Sequence, residues 1–206
     1  MKKIALLLTI AALCGAGSAS AQFSLSGALN SLFGGSQQQQ SSVETAVSAD
    51  DAPTKRALAA KWTFDSSAVE YRGDNALARM AVSSMRDQLA DIYVKMGLTK
   101  GCGTVQFRQN GAAQAVMQGQ KIDGRYDYDA STGRITLRAT IEGRSVECSG
   151  YVALRDGKLT LILDVNEALA AFKTAFPEMA DHQYVRSVAP IVESMPGLYA
   201  GGVFTK

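Results

Sequence analysis

The middle of the chain alternates between apolar and polar side chains with a period of two residues. In KIDGRYDYDASTGRITLRATI, from Lys121 to Ile141, apolar or aromatic residues and glycine occupy one side of each predicted strand, and charged or hydroxyl residues the other. The apolar side consists of Ile122, Gly124, Tyr126, Tyr128, Ile135, Leu137, Ala139 and Ile141. Because successive side chains of a strand point to opposite faces, the pattern predicts strands with one apolar and one solvated face.

The same alternation recurs on both sides of this segment and predicts about six short strands. It starts at Gly103 with Val105 and Phe107, weakens through AAQAVMQ, and returns in residues 146–154 and 159–163. Turn dipeptides such as Asn-Gly at 110–111 and Asp-Gly at 156–157 separate the strands. Such a series favours an antiparallel meander that curls and closes, since closure removes exposed edges.

Other patterns precede the meander. LAAKWTF and SSAVEYR predict one strand or two short ones, with Trp62 and Phe64 on the same face. Three- and four-residue spacing then predicts a helix, capped by Asp74, running to about Met96 and ended by Gly97. Its apolar stripe consists of Leu77, Met80, Ala81, Met85, Leu89, Ile92 and Met96. Such a stripe is typical of a core, with a ligand-facing surface as the alternative.

Two helices and a strand are predicted after the meander. Asp164, followed by Glu167, resembles a capping box, and a second helix is expected to bend or break near Pro190. The terminal GLYAGGVFTK predicts a strand that pairs with the strand around Trp62. The predicted fold class is mainly β with helices (α+β): a small antiparallel barrel or strongly curled meander, with one long helix early and two late.

The N-terminus has the layout of a signal peptide. Lys2 and Lys3 precede an apolar run and small residues ending at Ala21, which predicts cleavage before Gln22 and a periplasmic or extracellular protein. The run is too short to span about 30 Å of hydrocarbon. Leu13 directly before Cys14 argues against a lipidated N-terminus at that cysteine.

Composition and pattern divide the chain into three parts. Residues 1–21 are the predicted signal peptide. Residues 22–57, rich in Ser, Gln, Gly and Ala, are predicted to form a flexible leader, because they bury too little apolar surface to offset ordering entropy. Residues 58–206 are predicted to form the barrel domain. No second apolar run approaches the length needed to span a membrane, so no transmembrane span is expected in the mature chain.

The charge balance bears on nucleic-acid binding, and the cysteine content bears on a possible disulfide. The 21 Lys and Arg exceed the 19 Asp and Glu by two, an excess that disappears with Lys2 and Lys3. Nucleic-acid binding needs clustered basic residues, so nucleic acid is not expected. A disulfide between Cys102 and Cys148 would stabilise an exported fold by about 4 kcal/mol. Two unpaired cysteines are the alternative, and both stay open.

The chain carries no recognisable catalytic or metal-binding pattern. The single histidine, His182, is expected on a helix rather than beside a nucleophile. Asp123 and Asp127 alternate with Lys121 and Arg125, which is typical of a solvated strand face. One His and two distant Cys match no zinc-site spacing. We expect no enzyme, metal or cofactor, with a hydrolase as the residual alternative.

Several motifs between Leu58 and Lys206 occur together in a characteristic order. They are K-W-T-F, D-N-A-L leading to K-M-G-L, VQFRQNG, DGRYDYDASTGRITL and DGKLTLILD, followed by helices and a terminal strand. In this order the chain resembles a bacterial family of exported, lipocalin-like domains of unknown function. The resemblance implies a small antiparallel barrel with helices at its mouth or edge. It implies no catalytic residues, and neither cysteine belongs to the shared pattern.

Two functions remain open from the sequence. In the first, the barrel binds a small apolar or amphipathic ligand, lined by Trp62, Phe107, Met117 and Tyr126. In the second, these side chains fill the barrel, and the protein is a scaffold or interaction module for another cell-envelope protein. An eight-stranded barrel has room for either a packed interior or one small ligand. We favour ligand binding.

Overall fold

Eight antiparallel strands close into a barrel in the part of the chain that the structure describes. The computed structural model describes residues 47–76, 78–79, 82, 94, 97–117 and 119–206. Each strand pairs with the next in sequence, and β8 closes the barrel against β1. The strands are β1 (Lys61–Tyr71), β2 (Gly103–Phe107), β3 (Ala112–Met117), β4 (Gln120–Asp129), β5 (Arg134–Ile141), β6 (Arg144–Arg155), β7 (Lys158–Asp164) and β8 (Leu198–Thr205). The predicted barrel, with its closing terminal strand, is confirmed.

The helices in the described ranges lie at the two ends of the barrel. They are α1 (Lys55–Leu58), α2 (Val165–Ala175) and α3 (Gln183–Glu193), with short 3-10 turns at Ala49–Asp51 and Pro177–Met179. The Asp164 side chain accepts a hydrogen bond from the Glu167 amide, as the capping pattern predicted. The α3 helix contains Pro190 and continues to Glu193. Within the described residues, no helix combines the length and apolar character needed to cross a membrane.

Two hairpins have tight turns that determine their register. Glu142 and Gly143 have φ values of 50° and 78°, and Asp156 and Gly157 have 52° and 74°. Positive φ at both central residues is the geometry of a type I′ turn, whose twist matches that of the flanking strands. Ile141 therefore pairs with Arg144, and Arg155 pairs with Lys158, which places the alternating apolar residues of β5, β6 and β7 on one inner face.

The first strand is a single long strand with a bulge. The register of β1 against β8 shifts between Phe64 and Ser66. The carboxylate of Asp65, inside the bulge, lies 2.7 Å from Lys100 Nζ and 3.7 Å from Lys158 Nζ. A bulge of this kind bends a strand. The segments LAAKWTF and SSAVEYR, for which the sequence left one or two strands open, therefore belong to the single strand β1.

Residues 47–57 pack against the barrel, although the sequence predicted a leader up to residue 57. Val47 is buried, and the Tyr128 hydroxyl donates a hydrogen bond to the Pro53 carbonyl at 2.6 Å. Pro53 makes its contact through the main chain, whereas Val47 and Asp51 also use their side chains, Asp51 in an ion pair with Arg155 at 2.7 Å. The α1 helix then places the buried Leu58 at one end of the barrel.

The predicted long helix before β2 lies mostly outside the described residues and stays a prediction. Its described start differs from the expectation in one detail. The side chain of Asn75, rather than Asp74, accepts a hydrogen bond from the Ala78 amide at 3.2 Å. Asp and Asn both cap helices well. When the two are adjacent, the sequence alone does not show which one caps the helix.

Candidate functional site at the helix-covered end

The two ends of the barrel interior differ in how completely their side chains are buried. At the end closed by α1, large inward side chains form a packed cluster with almost no exposed surface. Its members include Leu58, Trp62, Phe64, Phe107, Tyr126, Ile135, Leu159 and Phe204. Beyond this cluster, several inward residues of β3 to β6 are small or apolar and only partly buried, and three of them, Met117, Leu137 and Cys148, border the packed cluster. The full set is Ala115, Met117, Ile122, Gly124, Leu137, Ala139, Ile141 and Cys148. We call this second set the inner wall.

Three of the four predicted lining residues lie in the packed end. Trp62 is 0% exposed and donates its indole hydrogen to the Leu58 carbonyl at 3.0 Å. The ring of Phe107 meets the ring of Tyr126 edge to face, with centroids 5.0 Å apart. The Tyr126 hydroxyl donates to the Arg108 carbonyl, and burial raises the pKa of that hydroxyl. The structure therefore gives these three side chains a packing role at the closed end.

Met117 is the predicted lining residue that lies in the inner wall. It is partly buried at the end of β3, where it borders the packed cluster, and its sulfur lies 3.7 Å from the Cys102 thiol. The remaining members of the inner wall were not predicted as a site. The signal that could have found them is the change from large to small inward residues between Tyr126 and Gly124 along β4, and between Ile135 and Ala139 along β5.

Cys102 and Cys148 are free thiols in the structure, so the disulfide that the sequence left open is not formed. Cys102 immediately precedes β2, whereas Cys148 lies on β6, four strands away around the wall. Burial, together with the nearby carboxylates of Glu167, Glu147 and Asp164, raises the pKa of Cys148 to about 12. Burial also raises the pKa of Cys102. Both thiols are therefore protonated and weakly nucleophilic at neutral pH.

The α2 and α3 helices cover one side of the barrel end that lies opposite α1. The α2 helix lies against β6, β7 and β8. Its apolar residues and those of α3 form a core with inward residues of the neighbouring strands. This core includes Val69, Val146, Leu169, Phe172, Val185, Val192, Leu198 and Ala200. The inner wall on β3, β4 and β5 lies outside this core apart from Ile141, which packs at its edge.

Polar contacts fasten the helical cover on the β6 side. Arg144 donates to the Ala175 carbonyl at 2.6 Å and to Glu178 at 2.8 Å, and its guanidinium lies 5.0 Å from the Phe176 ring centroid. The Glu167 carboxylate accepts hydrogen bonds from the amide and the hydroxyl of Ser149. In the described part of the chain, the polar contacts of the helical cover are thus concentrated at β6.

The inner wall offers an apolar surface without charged groups. Its eight residues have no charged side chain, and the only side-chain heteroatoms among them are the sulfurs of Met117 and Cys148. Among the described residues, no group of three or more His, Cys, Asp or Glu side chains is placed to hold a metal ion. His182 directly precedes α3. The chemistry available at this surface is the burial of apolar groups, worth about 25 cal/mol per Å².

The closed wall of eight strands, one end filled and the other covered by helices, defines a lipocalin-like barrel. The profile of the lipocalin-like domain family DUF4923 matches residues 34–206. The chain belongs to this family, which confirms the lipocalin-like family that its motifs indicated. A search of curated proteins and a search of solved structures each return no match.

Proposed function

We propose that the protein binds a small apolar or amphipathic ligand against the inner wall, without catalysing a reaction on it. The observation that carries the proposal is the partial burial of inward apolar side chains at one end of an otherwise packed barrel. Concave surfaces lined mainly by apolar side chains, with few polar groups, are the usual form of small-molecule sites. A ligand there would cover the apolar area that α2 and α3 leave open.

The alternative role as an envelope scaffold receives less support. A filled barrel that binds a protein would be expected to display an apolar patch on its outside. Within the described ranges, only Val94 is a large apolar side chain that is mainly exposed, at 59%. A single exposed side chain is ordinary for a protein surface, so this role has no specific observation in its favour.

The proposal includes export by the N-terminal segment. Lys2 and Lys3, the apolar run and the small residues before Gln22 support cleavage and release to the periplasm or the outside of the cell. Fractionation of the native host, followed by N-terminal sequencing, should find the protein beginning at Gln22. An intact N-terminus in the cytoplasmic fraction would contradict export without affecting the ligand site.

Ala139 and its neighbour Thr140 provide a matched pair of positions for testing the ligand site. Ala139 faces the inner wall, whereas Thr140 faces outward and is exposed. Ala139→Trp should occupy the space beside the inner wall and weaken binding of an uncharged, environment-sensitive fluorescent probe at least about tenfold, because filling an apolar site removes its contacts. Thr140→Trp is the matched control and should bind as the wild type does. Binding is measured by fluorescence titration.

Native mass spectrometry of protein purified from its own host provides an independent check. A reproducible co-purifying small molecule, absent from Ala139→Trp, supports the proposal. If the wild type carries no small molecule and binds no apolar probe, or if both Trp variants bind equally well, the inner wall is not a ligand site. A stoichiometric protein partner in the same spectra would instead indicate the scaffold role.

A further inference from the structure

The outer wall of the barrel holds the main chain of Val47 from both sides. The Val47 amide donates a hydrogen bond to Glu70 Oε2 at 3.1 Å, and Arg72 Nη2 donates to the Val47 carbonyl at 2.5 Å. Each polar group of this residue's main chain therefore meets a charged side chain of the segment that ends β1. Hydrogen bonds to charged groups are stronger than those between neutral groups.

The two charged side chains are themselves held in place. Arg72 Nε donates to Glu70 Oε1 at 2.9 Å. The guanidinium lies 3.9 Å from the ring centroid of Tyr151 and 5.7 Å from that of Tyr199. The two rings meet with centroids 5.5 Å apart. Stacking of arginine on aromatic rings restrains its direction, so the two tyrosine rings help to orient the donor that reaches Val47.

An apolar seat receives the Val47 side chain. Val47 is 2% exposed and packs with Ala153 and Ile162, which are 2% and 0% exposed. Ala68 and the two tyrosines border the same cluster. These residues face outward from the barrel, where a free-standing wall would present them to water. Their burial depends on the segment that covers them.

The burial of Glu70 points in the same direction. Glu70 faces outward on β1, yet it is only 8% exposed. A carboxylate loses strong hydration when it is buried and is tolerated there only when it is paired and hydrogen-bonded. Arg72 and the Val47 amide supply those partners. Outward strand positions are ordinarily exposed to water. A buried carboxylate with both partners in place at such a position indicates that this part of the outer wall binds a chain segment.

We propose that Glu70, Arg72, Tyr151 and Tyr199 form a main-chain clamp whose occupant is this chain's own segment at Val47. The clamp recognises an amide, a carbonyl and one small branched side chain, and so needs little else from the segment's sequence. It fixes the point at which the N-terminal leader meets the barrel, on the outer side of β1, β6, β7 and β8. From this point, residues 22–46 can reach at most about 90 Å.

The clamp therefore separates two roles on opposite sides of one wall. Val47 is held on the outer side of the wall, away from the inner wall where the ligand is proposed to bind. A partner that binds the leader can move away from the barrel only as far as the chain that precedes Val47 extends. Release of the segment would lengthen this reach and expose Ala153, Ile162 and the buried carboxylate.

Hydrogen exchange of the purified protein, read by mass spectrometry, tests the clamp. Val47→Gly removes the occupant's side chain and leaves every clamp residue in place. Arg72→Met keeps a long apolar chain but removes the guanidinium. In both variants, peptides covering residues 44–52 should exchange at least about tenfold faster, because amide exchange follows local opening. Peptides from residues 152–163 should keep their protection at the level of β6 and β7 in the wild type.

Lys121→Met is the matched control, since Lys121 is an exposed outer-wall cation paired only with the exposed Asp123 among the contacts seen. It should change neither region. The clamp is refuted if Val47→Gly leaves exchange at residues 44–52 unchanged. It is also refuted if barrel peptides lose protection as much as this segment does, since the segment would then be one cooperative unit with the barrel. Probe binding at the inner wall should be unaffected, so the clamp and the ligand site can fail separately.

Discussion

At the scale of single residues, close approaches between strands explain several choices in the wall. A Cβ atom at Gly150 would lie 2.0 Å from the Ile162 carbonyl oxygen, and one at Gly124 would lie 2.4 Å from the Arg138 carbonyl oxygen. Both glycines face inward in the alternating pattern, so they bring β4 and β6 close to their neighbours. Glycine in a strand often marks such an approach.

Cys148 should make the stability of the protein depend on alkaline pH. Its pKa is raised from 9.0 to about 12 in the folded state. The unfolded chain therefore releases this proton first, and the contribution is complete below pH 9 and is lost as pH rises toward 12. Between pH 8 and pH 10.5, the wild type should lose about 2 kcal/mol more of its free energy of unfolding than Cys148→Ala.

Urea unfolding under reducing conditions at several pH values measures this difference. Thr140→Ala, a change at an exposed position without a titrating proton, is the control and should follow the wild type. Curves for the wild type and Cys148→Ala that stay parallel from pH 8 to pH 10.5 would show that the thiol is not protected by the fold.

At the scale of elements, the junction of β7 and α2 joins the wall to its cover without a connecting loop. Asp164 is the last residue of β7 and the N-cap of α2. Its side chain satisfies the Glu167 amide, while the Glu167 carboxylate reaches Ser149 on β6. Two short contacts thus determine where α2 leaves the barrel and how it lies across the end.

Loss of the cap should weaken this junction. Asp164→Ala removes the acceptor of the Glu167 amide and should lower the free energy of unfolding by about 1 kcal/mol. Asp164→Asn keeps an acceptor of the same shape and should cost much less. Thermal and urea unfolding followed by circular dichroism measure both. Equal losses in the two variants would mean that the negative charge, rather than the cap, stabilises the junction.

At the scale of the whole molecule, the fold depends on the pairing of its first and last strands. β8 pairs with β1 from Thr63↔Thr205 to Tyr71↔Leu198, and with β7 from Leu159↔Phe204 to Asp164↔Tyr199. It also carries Leu198, Ala200 and Phe204 into the two cores of the barrel. Short turns join β2 to β7 in sequence, whereas residues 72–102 separate β1 from β2 and two helices separate β7 from β8.

Removal of residues 198–206 should abolish the native fold. The truncated chain would expose two strand edges and lose apolar contacts at both ends, which favours aggregation. Size-exclusion chromatography and thermal melting should show aggregated or non-cooperative protein. A protein that begins at residue 44, retaining the clamp segment, is the control and should melt cooperatively. A monomeric truncated chain with a cooperative melt would show that β8 is dispensable.

Much of the wall could be predicted from local sequence. The alternation in residues 121–141, the Asp156-Gly157 turn and the Asp164 cap each act between residues close along the chain, and the structure confirms the strands, turn and cap that they indicated. Trp62, Phe107 and Tyr126 face inward as expected, but being inward does not decide whether a side chain packs or stays accessible.

The sequence by itself determined the two-faced strands, their order and the closing role of the terminal strand, because a period of two and turn chemistry are local physical constraints. Only the tertiary structure decided which inward residues the described helices cover, since α2 is anchored to β6. It also decided the burial of Glu70, whose partner Val47 lies 23 residues away in sequence. Burial of this kind depends on which distant segment arrives to cover a face, and no local pattern records that.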